Sequence, residues 1–182
     1  MMYSSHFLTG YGTGIVYATE QGVVKVQIPD LSRQETTDHK VLTEYGPSEI
    51  TVHAAHMLQR YFQGERVDLG DIPVVLDALT RFQCKALNVV RNIPYGEICS
   101  YGHVAERCGS PGAARAVGGA LASNPVPIII PCHRVVASDG RLTGFSAPGG
   151  ESTKMILLKL EGVKFKGSFV VKNQLLIHRI SR

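Results

Sequence analysis

The sequence lacks the features that most quickly assign a chain to a class. No stretch of roughly 18 apolar residues is present, so no segment reads as a membrane span and no membrane partner is expected. Met1 to Gly14 carries no basic leader followed by an apolar stretch; we expect no signal peptide and a cytosolic location, or a nuclear one in a eukaryote. Cysteine is scarce. Cys84, Cys99, Cys108 and Cys132 make no CxxC pair and no dense secreted pattern, which argues against a disulfide framework and for reduced thiols. GxGxxG, P-loop and S-adenosylmethionine-type glycine loops are all missing, so no cofactor is expected. The first eighty residues hold no cysteine, and His53 and His56 share a helix face only approximately, so no metal is expected either. Internal repeats and low-complexity tracts are absent too.

What is present is an ordinary globular composition over 182 residues, enough for a real core in one or two small domains. Charge is uneven. Residues 1–81 carry six Lys/Arg against ten Asp/Glu, a net −4; residues 82–182 carry thirteen against five, a net +8. A basic half suits a polyanion, because lysines and arginines release counterions from phosphates. A merely soluble basic surface is the other reading.

Local signals divide the chain near residue 80. The apolar runs Gly14–Ala18 and Val23–Ile28, separated at Gln21-Gly22, predict a hairpin. Ser48 is a cap for a helix from about Glu49 to Gln63, with Met57, Leu58, Tyr61 and Phe62 as its apolar stripe and Gly64 as its stop. Residues 64–73 read as a linker. Beyond it, helices are predicted over 82–92, over 101–107 with Ser100 as N-cap, and over about 112–122, the last two joined by a turn at Gly109, Ser110 and Pro111. Such a pair is the helix-turn-helix pattern. Val126 to Ile130 looks strand-like, Lys154 to Leu160 helical, and 163–180 a hairpin or irregular extension around Lys172-Asn173.

The second helix of the pair offers one long side chain, Arg115, among Ala113, Ala114, Ala116, Gly118 and Gly119. A helix that reads base edges wants several Asn, Gln or Arg on one face. Small residues suit close docking on a surface without sequence discrimination, and equally suit tight helix packing. Further on, Pro131-Cys132-His133-Arg134 sets a thiol beside a base. A thiol becomes a strong nucleophile as thiolate, which a neighbouring base or cation favours. Alone, such a dipeptide is more often a buried cysteine beside a packed histidine.

Context changes that balance. The stretch from Arg115 to Val136, RAVGGALASNPVPIIIPCHRVV, is followed by Asp139-Gly140, Gly144-Phe145, Lys154 and Leu160-Glu161-Gly162. It is preceded by Phe82-Gln83, Ile93-Pro94-Tyr95-Gly96-Glu97 and Ser100-Tyr101. Residues 80–163 thus resemble the O6-alkylguanine-DNA alkyltransferase family. The resemblance implies an α+β chain: a small N-terminal α/β domain of ribonuclease H-like type over 1–79, then a mainly helical helix-turn-helix domain over 80–182. It implies repair of O6-alkylguanine, and of O4-alkylthymine, by irreversible transfer of the alkyl group to Cys132 after base flipping. His133 would take the thiol proton through a bound water, Glu161 would orient His133, and Asn124 would hold the hinge. Tyr101 would contact guanine and phosphate and help the leaving base gain a proton. Val135, Phe145 and Ser146 would line the guanine pocket. Arg115 would enter the duplex, with Ala114, Ser100 and Tyr101 also at the DNA. The partner would be double-stranded DNA with little sequence preference, bound by a monomer.

Some positions depart from the family pattern. Leu87 stands where an aromatic residue is common, Phe145 replaces a common tyrosine, and the loop 146–150 is slightly long. Two other readings stay open: a non-catalytic damage-binding relative, which would lack the cysteine, and a cysteine hydrolase, which would turn over.

Overall fold

The computed structural model describes residues 1–33 and 45–171. The expected hairpin forms from β2 (Gly12–Thr19) and β3 (Gly22–Gln27). A strand that sequence patterning missed, β1 (Tyr3–Thr9), pairs with β2 on its other side, giving an antiparallel meander in the order β1-β2-β3. Ser4, Ser5 and His6 interrupt the apolar alternation that marks a strand. Phe7 of this strand folds over Gly14, where a β-carbon would collide with its ring.

Helix α1 (Glu49–Phe62) begins as expected at Ser48. The Ser48 hydroxyl accepts from the Thr51 amide and the Thr51 hydroxyl accepts from the Ser48 amide, a reciprocal capping box. Thr51, Ala54, Ala55, Leu58 and Tyr61 are its buried residues, and the helix packs across the meander. At its far end Tyr61 is fully buried against Tyr95 and His133.

In the second half, α2 (Arg81–Arg91) is capped by Thr80 through a second capping box with Gln83. A short strand β4 (Cys99–Ser100) leads into α3 (Tyr101–Arg107), whose N-cap Ser100 accepts from the His103 amide at 3.1 Å. Helix α4 (Ala114–Ala122) starts two residues later than predicted, because Gly112 turns the chain with φ +84° ahead of it. α2, α3 and α4 pack on one another.

Residues 126–130 are not the predicted strand. The Ile130 amide donates back to the Val126 carbonyl, Pro127 bridges to Ile130, and Ile128 sits at φ +73°. The run is therefore a tight buried loop, with a β-branched residue held in the left-handed region by its surroundings. It delivers the chain into a 3-10 turn (Cys132–Arg134) and then β5 (Val135–Val136), parallel to β4. Helix α5 (Gly150–Leu160) starts earlier than predicted, at Gly149 in the left-handed conformation, so Lys154 falls within it. β6 (Phe165–Lys166) and β7 (Phe169–Val170) form a hairpin; the turn anticipated at Lys172-Asn173 lies outside the described residues.

One hydrophobic core runs through both halves, joining Phe7, Val16 and Leu58 to Leu87, Val117, Ile130 and Leu157. Leu87 is fully buried there. Side chains from the N-terminal half therefore reach the centre of the C-terminal half, as Tyr61 does at Glu161.

Candidate active site around Cys132

Three elements converge on the Cys132–Arg134 turn: the end of α1, the loop after α2 and the end of α5. Cys132 lies at the floor of a cleft of about 770 Å³ lined by Tyr101, Ala114, Arg115, Gly118, Phe145 and Ser146 among others. A second cleft, of about 360 Å³, reaches Cys132 from the β3 side. The thiol itself is nearly covered, with 5% of the residue exposed. Asn124 ties it in place. Its side-chain amide donates to the Ile130 carbonyl at 2.9 Å and to Cys132 Sγ at 3.2 Å, while its oxygen accepts from the Val126 amide.

Behind the turn is a sealed polar cluster. Glu161 Oε1 accepts from Tyr61 Oη at 2.7 Å, from Arg134 Nη2 at 2.9 Å, and lies 2.7 Å from His133 Nε2. Oε2 accepts from Arg134 Nε at 2.8 Å and from the Gly96 amide at 3.1 Å. Gly96 is required here: it sits at φ +77°, and a β-carbon would come within 2.9 Å of the Glu161 carbonyl. Arg134 also donates to the Ile93 carbonyl at 2.6 Å. A carboxylate that accepts from so many donors is ionised. Burial alone would raise the Glu161 carboxyl, but His133 and the hydrogen-bonded Arg134 outweigh it and hold it well below the usual range.

Burial pushes the His133 imidazole down, and Glu161 recovers only part of that shift. The His133–Glu161 contact is therefore a neutral imidazole donating to a carboxylate rather than an ion pair at neutral pH. With Nε2 as the donor, Nδ1 holds the free lone pair, and Nδ1 is buried with no partner among the described residues. Burial also pushes the Cys132 thiol up, opposed by the Asn124 hydrogen bond and by Lys154. Lys154 is wholly buried, donates to the Thr143 carbonyl at 2.9 Å, and stands 3.5 Å from Tyr101 Oη. Burial brings its ammonium down to about 8. At rest the centre is a protonated thiol, a neutral histidine poised to accept, and a buried cation that favours the thiolate.

The structure brings together Cys132, His133, Glu161 and Asn124 in this centre. Tyr101, Phe145, Ser146, Ala114 and Arg115 gather around the mouth of the larger cleft, Arg115 exposed. Val135 is fully buried and pairs with Cys99, so its side chain faces the core and the adjoining cleft wall comes from Ala137 and Ser138. Ser100 serves as the α3 cap and does not line the cleft. Among the described residues no group of three His, Cys, Asp or Glu could hold a metal ion. Sequence reasoning assigned no role to Tyr61, Arg134 or Lys154. A lysine in an amphipathic helix ordinarily faces water, and a tyrosine ending an apolar stripe reads as core.

A family profile described as "6-O-methylguanine DNA methyltransferase, DNA binding domain" matches residues 81–163. The methylated-DNA–protein-cysteine methyltransferase of Methanosarcina acetivorans is 37% identical over 162 residues, 88% of this chain and 99% of that protein. The protein of the same description from Mycobacterium leprae is 47% identical over 109 residues, 59% of this chain. That match spans 63% of the Mycobacterium leprae protein's length. In three dimensions, the crystal structure of Mycobacterium tuberculosis OGT in complex with DNA superposes with a TM-score of 0.69 at 34% identity, covering 87% of this chain and 92% of that one.

Proposed function

The chain belongs to the methylated-DNA–protein-cysteine methyltransferase family, and from that premise we propose that it repairs O6-alkylguanine in DNA by taking the alkyl group onto Cys132. The observation that carries this reading is a thiol at the floor of an open cleft, backed by a neutral histidine whose own partner is a buried carboxylate. The thiol proton passes to His133 Nδ1 through a bound water. The sulfur attacks the saturated carbon on O6, an S–C bond forms, the C–O6 bond breaks, and the base leaves. Tyr101, with Lys154 at 3.5 Å, supplies a proton to the departing guanine and hydrogen-bonds it. A thioether has no carbonyl for water to attack, so each chain acts once.

The partner is double-stranded DNA, bound through the α3–α4 pair read as a helix-turn-helix. Ala114 and Gly118 at the cleft mouth let a backbone approach closely, and Arg115 fills the gap left by a flipped base. With one long side chain on α4, little sequence discrimination follows. A monomer suffices, since every group in the centre comes from one chain. O4-alkylthymine fits the same chemistry. We divide the chain at 79/80, with a ribonuclease H-like N-terminal half supported by the antiparallel meander and its packed helix. A cytosolic setting, which keeps thiols reduced, suits the free cysteines.

Intact-protein mass spectrometry after mixing with an O6-methylguanine duplex tests the reading. The mass should rise by one methyl-for-hydrogen exchange per chain, mapping to the peptide with Cys132, and Cys132→Ala should abolish the gain while still binding duplex. Repeated turnover with no mass change would favour a hydrolase.

A further inference from the structure

The sealed cluster has one member from the other half of the molecule. Tyr61 ends α1, is fully buried, donates to Glu161 Oε1 at 2.7 Å and stands 3.4 Å from His133 Nε2. Its ring meets His133 and Tyr95 edge-on. Burial, with the Glu161 charge adding to it, holds the phenol well above its ordinary range, so its oxygen keeps its proton and remains a donor. Tyr61 is thus a fixed neutral donor on the same oxygen that receives the histidine.

Resting on the alkyl-transfer reading above, we infer that Tyr61 is a positioning residue through which the N-terminal half sets the base: its hydroxyl, with Arg134, occupies Glu161 so that His133 has one tautomer open to it, Nε2–H, leaving Nδ1 to accept the proton of Cys132. The geometry leaves little alternative. Glu161 accepts from Tyr61, from Arg134 twice and from the Gly96 amide, so it has no proton to give and His133 Nε2 must be the donor. A histidine's second nitrogen is set by the bond its first one makes. The hydroxyl also tempers the carboxylate. A Glu161 with one donor fewer is more basic, pulls harder on Nε2–H and stabilises imidazolium, which is the wrong protonation state for a base. Among the described residues the titratable or charged groups facing the pair are Tyr61, Tyr95, Cys132, Arg134 and Lys154; of those bonded to Glu161, the Tyr61 hydroxyl can be removed with no change of net charge at neutral pH and almost none of shape.

The test is single-turnover methyl transfer from an O6-methylguanine duplex, followed against pH with the full chain. Tyr61→Phe should slow transfer about 10-fold, in the range for lost support of a functional histidine. The acidic limb of its rate profile should move to higher pH. Incorporation of 3-fluorotyrosine at position 61, a stronger donor of nearly the same shape, should move that limb the opposite way and covers the case in which Tyr61→Phe fails to fold. In a Glu161→Gln background, Tyr61→Phe should add no further loss. Nitrogen-15 NMR of His133 should show Nε2–H in the wild type. A wild-type rate and profile in Tyr61→Phe, an equal loss in both Glu161 backgrounds, or an Nδ1–H tautomer in the wild type would each overturn the inference. Failure of the alkyl-transfer reading is a separate result: the wild type would gain no methyl group, while the His133 titration by nitrogen-15 NMR, compared between wild type and Tyr61→Phe, would still decide the role of Tyr61.

Discussion

The cleft in front of Cys132 and the cluster behind His133 share one three-residue turn and are built in opposite ways. The front is open and walled by small or apolar side chains, Ala114, Gly118, Ala137 and Phe145, with Arg115 reaching into solvent. The back is dry. Its His133 and Glu161 side chains are fully buried and Arg134 is 9% exposed, yet nearly every polar atom is paired. A surface that must admit a substrate cannot spend its hydrogen bonds on itself. A base whose proton must sit on one nitrogen needs partners that do not move, and a buried, satisfied network supplies them. The back carries stability and chemistry together, whereas the front carries chemistry almost alone.

The sharpest way to break this contrast is to delete one side chain from each region. Glu161→Ala leaves the Arg134 guanidinium buried without its carboxylate, and should cost about 3–5 kcal/mol in denaturant unfolding as well as methyl transfer. Cys132→Ala should abolish transfer while costing less than about 1 kcal/mol. Equal stabilities for the two variants would erase the distinction.

Lys154 lies between the regions and should show a trade-off. Its ammonium falls from 10.5 in the unfolded chain to about 8 when folded. Below pH 8 both states are charged and the fold bears the whole burial penalty. As pH rises from about 8 to 10.5 the folded amine loses its proton first, and the penalty is relieved. Lys154→Met should therefore be more stable at pH 7 by roughly 1–3 kcal/mol, with the advantage shrinking by pH 10, and slower in transfer because the thiolate loses its cation. The Tyr101 hydroxyl still donates to the Thr143 carbonyl at 3.1 Å, so that acceptor is not orphaned.

Acid should undo the back of the turn. His133 is held neutral by burial, so the unfolded chain takes up a proton near 6.5 that the fold refuses, and stability present above that pH falls below it. Glu161, held ionised, adds a second loss below its ordinary 4.5. Unfolding free energies measured from pH 7 to 4 should decline in that order, and His133→Gln should lack the first part of the decline.

The smallest effect on stability belongs to the front. Arg115→Ala should change it by less than about 0.5 kcal/mol. It should nevertheless slow repair of a saturating duplex far more than reaction with a free O6-alkylguanine base. Equal saturated duplex rates for variant and wild type would reduce Arg115 to a phosphate contact.

Much of the fold could be read locally. Ser48 and Ser100 mark helix starts because a short oxygen-bearing side chain can satisfy amides that the helix leaves free; the Thr80 cap follows the same rule and was seen only in the fold. The β2–β3 hairpin and the α3–α4 pair follow from turn residues and apolar spacing. β1 escaped, since its polar residues hide the alternation, and the loop 126–130 misled, since five buried residues in a row look alike in a strand and in a folded-back turn. Cys132, His133 and Glu161 were named together only through the resemblance to the alkyltransferase family; taken alone, the thiol beside a histidine reads as packing and Glu161 as a solvated helix-end charge.

Local sequence carried most of the elements, β1 and the loop 126–130 excepted, and through the resemblance it pointed to Cys132, His133 and Glu161 and their reacting atoms. The tertiary structure alone decided the environment that makes those atoms react: a lysine in the interior, a guanidinium closed over Glu161, and a tyrosine from a hundred residues earlier donating to that same carboxylate. Caps and turns depend on neighbours three or four residues away, which the sequence displays. Desolvation and long-range hydrogen bonds depend on what the folded chain packs on top, and that is a property of three dimensions.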